Sequence, residues 1–309
     1  MPAVGYTLRQ LAYFAAVAER GSITGAAEHL HVSASAVSAA VDDLEKVLRT
    51  QLTVRRRAHG VTLTRSGQDV LRRVRGLLSE AEELQLHARD ADERLRGSLM
   101  VGSYLTLAPT LLAELLAAYT ERHPDVDLDF FSGSQSAVLE KLARGDVDLA
   151  VVYDVALPPG IEALRLYETV PQVVLAADHP LTREELLPLR RLADEPFILL
   201  DLHPSRENTM TLFSAAGVTP AVRFRTTDYE VTRSLVGRGL GYSILVQHPK
   251  GDLTWGGRPL ALRPVDPAPR PVGVCLVWDP GVRRTRRAEA MLALARELYA
   301  PGAPGTPGT

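Results

Sequence analysis

The chain has 309 residues, of which 46% are hydrophobic and 23% are charged, and its formal net charge at pH 7 is −2. These values are typical of a globular soluble protein. The single cysteine, Cys275, excludes an intramolecular disulfide framework, and no apolar run reaches the ~18 residues that a membrane-spanning helix needs. The first ten residues lack the pattern of a secretory signal. We therefore expect a cytoplasmic protein without membrane contact.

The first fifty residues predict three short helices. Apolar residues at positions 8, 11, 12, 15 and 18 form one face of the first helix, which ends at Gly21. A second helix over residues 23–30 is followed by a tight turn, and Ser33 is placed to cap a third helix with a stripe of Val37, Val41, Leu44 and Leu48. This pattern is typical of a helix-turn-helix unit, whose last helix enters the major groove of DNA. The alternative is an ordinary helical hairpin in a core.

The apolar stripe of the third helix leaves a second set of residues facing outward. This set contains Ala34, Ser35, Ser38, Ala39 and Asp42, with Ser33 at its start. None is Arg, Gln or Asn, the residues that read bases through two hydrogen bonds. We therefore expect sequence specificity to come from serine hydroxyls and from contacts between alanines and thymine methyl groups.

Residues 52–64 predict a β-hairpin, or wing, because two β-prone runs surround Ala58-His59-Gly60. Arg55, Arg56 and Arg57 lie in this segment, and three adjacent cations favour a phosphate backbone as partner. A solvated basic turn is the alternative. Residues 1–67 contain eight Lys or Arg against five Asp or Glu, so the basic character lies in this region although the whole chain is slightly acidic.

Together these motifs resemble the winged helix-turn-helix of LysR-type transcriptional regulators. The matching residues are A-A-E-H-L-H-V-S (26–33), S-A-V-S (35–38), D-L-E (43–45) and L-T-R-S-G (63–67). The resemblance implies a DNA-binding domain over residues 1–67, with double-stranded DNA as its partner.

The next segment, residues 68–97, predicts a long helix with apolar residues in steps of four and three. The predicted seam is Val70, Val74, Leu77, Ala81 and Leu84, and the spacing continues to residue 95. A narrow heptad seam is typical of contact between two helices. We expect a dimerisation helix, as the linker helix of the resembled family implies; a surface helix packing on its own domain is the alternative.

Residues 98–299 alternate predicted strands and helices, which favours parallel α/β units. Five further motifs resemble the two-lobed effector domain of the same family, which is similar to type 2 periplasmic binding proteins: V-G-S-Y (101–104), R-H-P-D-V-D-L (122–128), A-R-G-D-V-D-L-A-V-V (143–152), A-D-H-P-L (177–181) and G-R-G-L-G-Y-S (237–243). The resemblance implies one lobe of residues 98–168 plus 272–299 and another of 169–271. Residues 300–309 are rich in Pro and Gly and predict a disordered tail.

Four loops of this region each follow a predicted strand and open a helix. Such loops present backbone N–H groups toward the crevice at the strand ends, where small ligands bind. We expect a small polar or anionic effector between the lobes, held by Ser103, Tyr104, Thr106, Ser134, Gln135, Asp201, His203 and Thr227. Taken singly, each Ser or Thr is also explained as a helix cap without a ligand.

The sequence thus predicts an effector-responsive transcriptional regulator that works as a homodimer or homotetramer, with RNA polymerase as a further partner. A transport-type solute-binding protein without a DNA role is the alternative from another class. We expect no enzyme activity, cofactor or metal, because G-L-G-Y-S (239–243) is not a nucleophile elbow and the histidines are scattered.

Overall fold

The computed structural model describes residues 5–56, 60–89, 94–248 and 251–300. The predicted disordered tail lies outside these residues, apart from Ala300. The N-terminal domain contains α1 (Leu8–Arg20), α2 (Ile23–Leu30) and α3 (Ala34–Leu48), followed by the antiparallel strands β1 (Thr53–Arg56) and β2 (Gly60–Leu63). This arrangement is the predicted winged helix-turn-helix.

Each of the three N-terminal helices begins at a side-chain cap that the sequence supplies. Thr7, Ser22 and Ser33 accept hydrogen bonds from backbone N–H groups in the first turns of α1, α2 and α3. The core face of α1 differs from the prediction, because Phe14 and Val17 are fully buried whereas Leu8 is half exposed. Placing the aromatic ring inside buries more apolar surface than the alanine-rich face would.

A single long helix, α4 (Arg65–Arg89), connects the two parts of the chain. Its first turn is fixed by Thr64, whose hydroxyl accepts from Gly67 N at 2.9 Å and donates to the carbonyl of Gln51 at 2.7 Å. Leu71 and Val74 are buried in the core of the N-terminal domain. That core therefore extends past residue 67 into α4.

The first lobe is built on a five-stranded sheet in the order β4-β3-β5-β14-β6. Its strands are β3 (Gly97–Tyr104), β4 (Val126–Gly133), β5 (Leu149–Tyr153), β6 (Glu162–Thr169) and β14 (Val272–Trp278), and β3, β4 and β5 run parallel. A π-helical turn (Ala108–Leu112), α5 (Ala113–Arg122), α6 (Gln135–Arg144) and α9 (Arg286–Leu298) complete the lobe. β6 was not predicted, because it lies at the sheet edge and only Leu166 of its side chains is buried.

In the part that the structure describes, the second lobe carries smaller sheets, two α-helices and two short 3₁₀ turns, Pro180–Arg183 and Leu189–Leu192. The strands are β7 (Gln172–Ala176), β8 (Leu187–Pro188), β9 (Pro196–Leu200), β10 (Ala221–Thr226), β11 (Ser243–Leu245), β12 (Leu260–Arg263) and β13 (Val265–Asp266), and the helices are α7 (Ser205–Ala215) and α8 (Tyr229–Val236). β9 and β10 are parallel, whereas β7 pairs antiparallel with β11 and β12. The predicted two-lobed α/β architecture is confirmed. Among the described residues, no helix combines the length and apolarity needed to cross a bilayer.

Candidate DNA and effector sites

The exposed face of α3 holds the residues predicted to meet DNA. Ala34, Ser35 and Ala39 are exposed, while Val37, Val41 and Leu44 are buried beneath them. Ser38 and Asp42 lie on the partly exposed flank of the same face, one helical turn apart. The capping residue Ser33 is exposed at the start of the helix, where its hydroxyl lies 3.0 Å from that of Ser35.

Of the three wing arginines, Arg55 reaches back to α3. It donates one hydrogen bond to Asp42 Oδ1 at 2.6 Å and another to Ser38 Oγ at 3.1 Å. Only the backbone of Arg56 is described, paired with Gly60 across the wing. Arg57 lies outside the described residues, so the predicted phosphate contacts of this triplet stay predictions.

Glu45 fixes the wing to the helix, a role that sequence reasoning missed. Its Oε1 accepts hydrogen bonds from the backbone N–H groups of Leu52 and Thr53, at 2.7 and 2.8 Å, and from the Thr53 hydroxyl at 3.1 Å. In the sequence, the D-L-E motif contributed only to the resemblance to LysR-type regulators and indicated no structural role for Glu45. In the structure, the Glu45 carboxylate fixes the start of β1 against α3. It therefore also fixes the position of Arg55 relative to α3.

In the first lobe, the predicted effector residues of β3 and the loop after it are buried. Ser103 donates to the carbonyl of Tyr104 at 3.1 Å, and the Thr106 hydroxyl lies 3.3 Å from that of Tyr153. The Tyr104 hydroxyl lies 2.9 Å from Ser205 Oγ of the second lobe. Burial raises the pKa of Tyr104 to about 12 although the Ser205 contact lowers it, so Tyr104 stays a neutral phenol at physiological pH.

Ser134 and Gln135 at the start of α6 have different roles. The Ser134 hydroxyl caps the helix by accepting from Ala137 N at 3.3 Å and remains partly exposed. Gln135 is buried, and its amide donates to the carbonyl of Val155 at 2.5 Å and accepts from Tyr153 N at 3.0 Å. Gln135 therefore holds the end of β5, whereas Ser134 remains partly exposed.

The second lobe contributes Asp201, His203 and Thr227. Arg206 donates to Asp201 at 3.0 Å, and His203 Nδ1 lies 3.1 Å from Glu207 Oε2. Thr227 is exposed between β10 and α8. Leu202, in the same turn as His203, packs against the hydrophobic clusters of both lobes. The structure thus brings the loop after β3 and the turn before α7 together, and leaves Thr227 at the surface.

The predicted dimerisation seam of α4 divides into two halves. Val74 is only 3% exposed and Val70 is partly buried against the same N-terminal core, so both are occupied within the chain. Leu77 and Leu84 are 43% and 70% exposed, and Ala81 between them is partly exposed. The free part of the seam therefore begins at Leu77.

Charged residues join α4 to both domains. Arg75 donates to the carbonyl of Arg144 at 2.6 Å, pairs with Asp146 in the first lobe and lies 3.4 Å from Glu19 of α1. Further along α4, Glu82 lies 3.3 Å from the buried Arg287. These contacts border a cavity of about 580 Å³ between α4 and the first lobe.

The comparisons with known proteins agree with this geometry. Residues 8–68 match the bacterial regulatory helix-turn-helix domain of the lysR family, and residues 92–300 match the LysR substrate binding domain. The chain belongs to the LysR family. It is 31% identical over 243 residues to the Hca operon transcriptional activator HcaR of Escherichia coli K12. The match covers 77% of this chain and 81% of HcaR.

Two solved structures extend the likeness of this LysR-type protein. The C-terminal domain of a probable LysR family regulator from Rhodococcus sp. RHA1 is 35% identical, with a TM-score of 0.64, and the match covers 65% of this chain and 99% of that one. A hydrogen peroxide-bound cysteine mutant of OxyR from Corynebacterium glutamicum is 27% identical, with a TM-score of 0.56, covering 94% and 93%. The LysR-type chain is thus a DNA-binding transcriptional regulator with an effector-binding domain, and its partners are DNA, a small-molecule effector and further copies of itself.

Proposed function

We infer that this regulator binds a small polar or anionic metabolite between its two lobes and transmits the binding through α4 to the DNA-binding domain. The observation that supports this is the contact of Tyr104 with Ser205, which joins the two lobes at the predicted loops. A ligand seated there changes which lobe arrangement is favoured, provided that it binds one arrangement more tightly than the other.

The partly exposed polar groups around this contact favour the proposed class of ligand. Ser134 stands at the N-terminus of α6, where free N–H groups and the helix dipole favour negative charge. His203 contributes a ring beside the carboxylate of Glu207. Because the Glu207 carboxylate repels negative charge and accepts hydrogen bonds, a ligand with hydroxyl groups beside its anionic group fits better than a bare inorganic anion.

Peroxide sensing, which the likeness to OxyR raises as a second possibility, is not supported by the cysteine chemistry. Cys275 is the single cysteine of the sequence and lies buried in β14. Burial, assisted by the nearby Asp154, raises the pKa of its thiol to about 11. A buried protonated thiol is a poor nucleophile toward peroxide.

On DNA, we propose that the α3 face lies in the major groove and that Arg56 and Arg57 contact phosphates. We further propose that the protein works in the cytoplasm, that two or four copies assemble through the exposed part of the α4 seam, and that the chain has no catalytic activity of its own.

A thermal-shift screen of small polar and anionic metabolites on the full-length protein tests the effector proposal. At a hundred times its dissociation constant, a ligand stabilises the fold by about 2.7 kcal/mol. With a ligand found in this way, Ser134→Ala should lose the response and keep DNA binding. Ser22→Ala, which removes the equivalent cap of α2, is the matched control and should keep the response. A folded Ser134→Ala protein that responds like the parent would contradict the proposed site.

A further inference from the structure

Arg55 occupies a position that the sequence did not predict. Strand β1 carries it in the wing, yet its guanidinium lies against Ser38 and Asp42 on the exposed face of α3. The side chains of Arg55 and Asp42 are 46% and 44% exposed. The pair is therefore accessible to a molecule that meets the exposed side of α3.

The held guanidinium keeps free donors. Arginine has five N–H groups, and the contacts with Ser38 and Asp42 use one on each terminal nitrogen. Three donors remain in a rigid plane, enough to donate two parallel hydrogen bonds to the O6 and N7 atoms of one guanine. Fixing the plane beforehand reduces the entropy that the side chain loses on binding.

The α3 face itself offers no side chain that could read a guanine through two hydrogen bonds. Residues 34–42 contain no Arg, Lys, Gln or Asn, and Ala34, Ser35 and Ala39 have short side chains. Short side chains allow the helix to approach the base edges closely. Arg55 is then the side chain with the longest reach that the structure places on this face.

The ion pair also distinguishes a base contact from a phosphate contact. A carboxylate 2.6 Å away already offsets the charge of Arg55, so binding a phosphate there would gain little from charge neutralisation. Hydrogen bonds to a guanine depend on donor geometry, which Asp42 improves, more than on net charge.

We propose that Arg55, positioned by Asp42 and Ser38, reads one guanine in the major groove of each half-site. The proposal rests on the DNA-binding function and replaces the phosphate contact that the sequence suggested for this residue. Arg55 is the specificity residue, and Asp42 acts through it as a positioning residue.

Selection from a randomised double-stranded DNA library tests the proposal, using the full-length parent, Arg55→Lys, Asp42→Ala and Arg65→Ala as a control. Arg65 is an exposed arginine of the same domain at the start of α4. The parent and Arg65→Ala should select the same motif. Arg55→Lys, which keeps the charge, should lose the preference for guanine at one symmetric position by roughly five- to hundred-fold and keep the other positions.

Asp42→Ala gives the second measurement. It should bind a scrambled duplex more tightly, because a negative charge is removed, while its preference at the same guanine position falls. Thermal unfolding checks that each variant is folded. An unchanged motif for Arg55→Lys, or equal strengthening on all duplexes for Asp42→Ala, would show that the pair only balances charge and would overturn the assignment. If the parent selects no motif, the DNA-binding function itself is wrong. This result differs from failure of the Arg55 proposal, in which the parent still selects a motif.

Discussion

Gly67 occupies a position at which the backbone leaves no room for a side chain. A Cβ atom at Gly67 would lie 2.0 Å from the carbonyl oxygen of Leu52, because the first turn of α4 passes directly over the chain that enters the wing. The clash is with backbone, which cannot rotate away as a flexible side chain can. This explains in physical terms why L-T-R-S-G ends in glycine.

Gly67→Ala should lower the free energy of unfolding by about 1–3 kcal/mol, the usual cost of overpacking. Gly76→Ala on the same helix is the control, since its Cβ would meet Val282 at an ordinary 3.5 Å. The control should be neutral or stabilising by up to about 1 kcal/mol, because alanine favours helix interiors over glycine. Urea unfolding of the two variants measures both effects, and equal stabilities would contradict this account.

Several contacts of the candidate site could not be predicted because they join positions that are distant in sequence. Arg55 and Asp42 are separated by thirteen positions, and Gln135 meets the backbone of residues 153 and 155. The sequence indicated that Gln135 is a polar residue at the start of a predicted helix. Only the packing of α6 against the end of β5 decides that its amide is fully used there.

At the scale of elements, periodicity predicted α3 and the existence of α4, but not the span of α4. The sequence predicts residues 68–97, whereas α4 begins at Arg65, residues 94–96 are not helical and Gly97 starts β3. Periodicity also missed β6, whose polar outward face resembles a loop. For α1 it correctly predicted the helix, its end at Gly21 and the buried Leu11 and Ala15, but it missed the buried Phe14 and Val17. In α4, the heptad spacing correctly marked an apolar seam. It could not show that the seam divides, with Val74 buried in the N-terminal core and Leu84 exposed.

Leu84→Glu should weaken self-association, because the charge would be buried against its symmetry mate at a cost of several kcal/mol. Sedimentation should show loss of the dimer, together with weaker DNA binding. Leu8→Glu places the same charge on a half-exposed leucine of α1 and should leave the assembly intact. If the Leu84→Glu dimer is as tight as that of the parent, the contact between copies lies elsewhere.

For the whole molecule, Arg75 is a residue that links several parts of the chain. Its guanidinium contacts α1, the end of α6 and the loop after it, and its side chain is only 16% exposed. Breaking these contacts leaves carboxylates and a carbonyl without their charged partner.

Arg75→Gln should lower the free energy of unfolding by about 1–3 kcal/mol and increase hydrogen exchange near residue 145 and at the end of α1. Small-angle scattering should show a larger radius of gyration, and high salt should move the parent in the same direction. Arg122→Gln removes an exposed ion pair with Glu297 inside the first lobe. It should change neither the hydrogen exchange at these sites nor the radius of gyration. Identical scattering and exchange for Arg75→Gln and the parent would show that this residue does not couple the domains.

The continuity of α4 has a mechanical consequence. The helix has 25 residues, so at 1.5 Å per residue it is a stiff lever of about 37 Å. It is anchored in the DNA-binding core near Val74 and against the first lobe near Glu82. These two anchors are eight residues apart, about 12 Å along the helix axis, so a tilt of about 5° about one anchor moves the other by about 1 Å. Because one continuous helix carries both anchors, we expect a tilt of the first lobe to reach the DNA-binding domain as a rotation of that whole domain, which changes the angle at which α3 meets DNA.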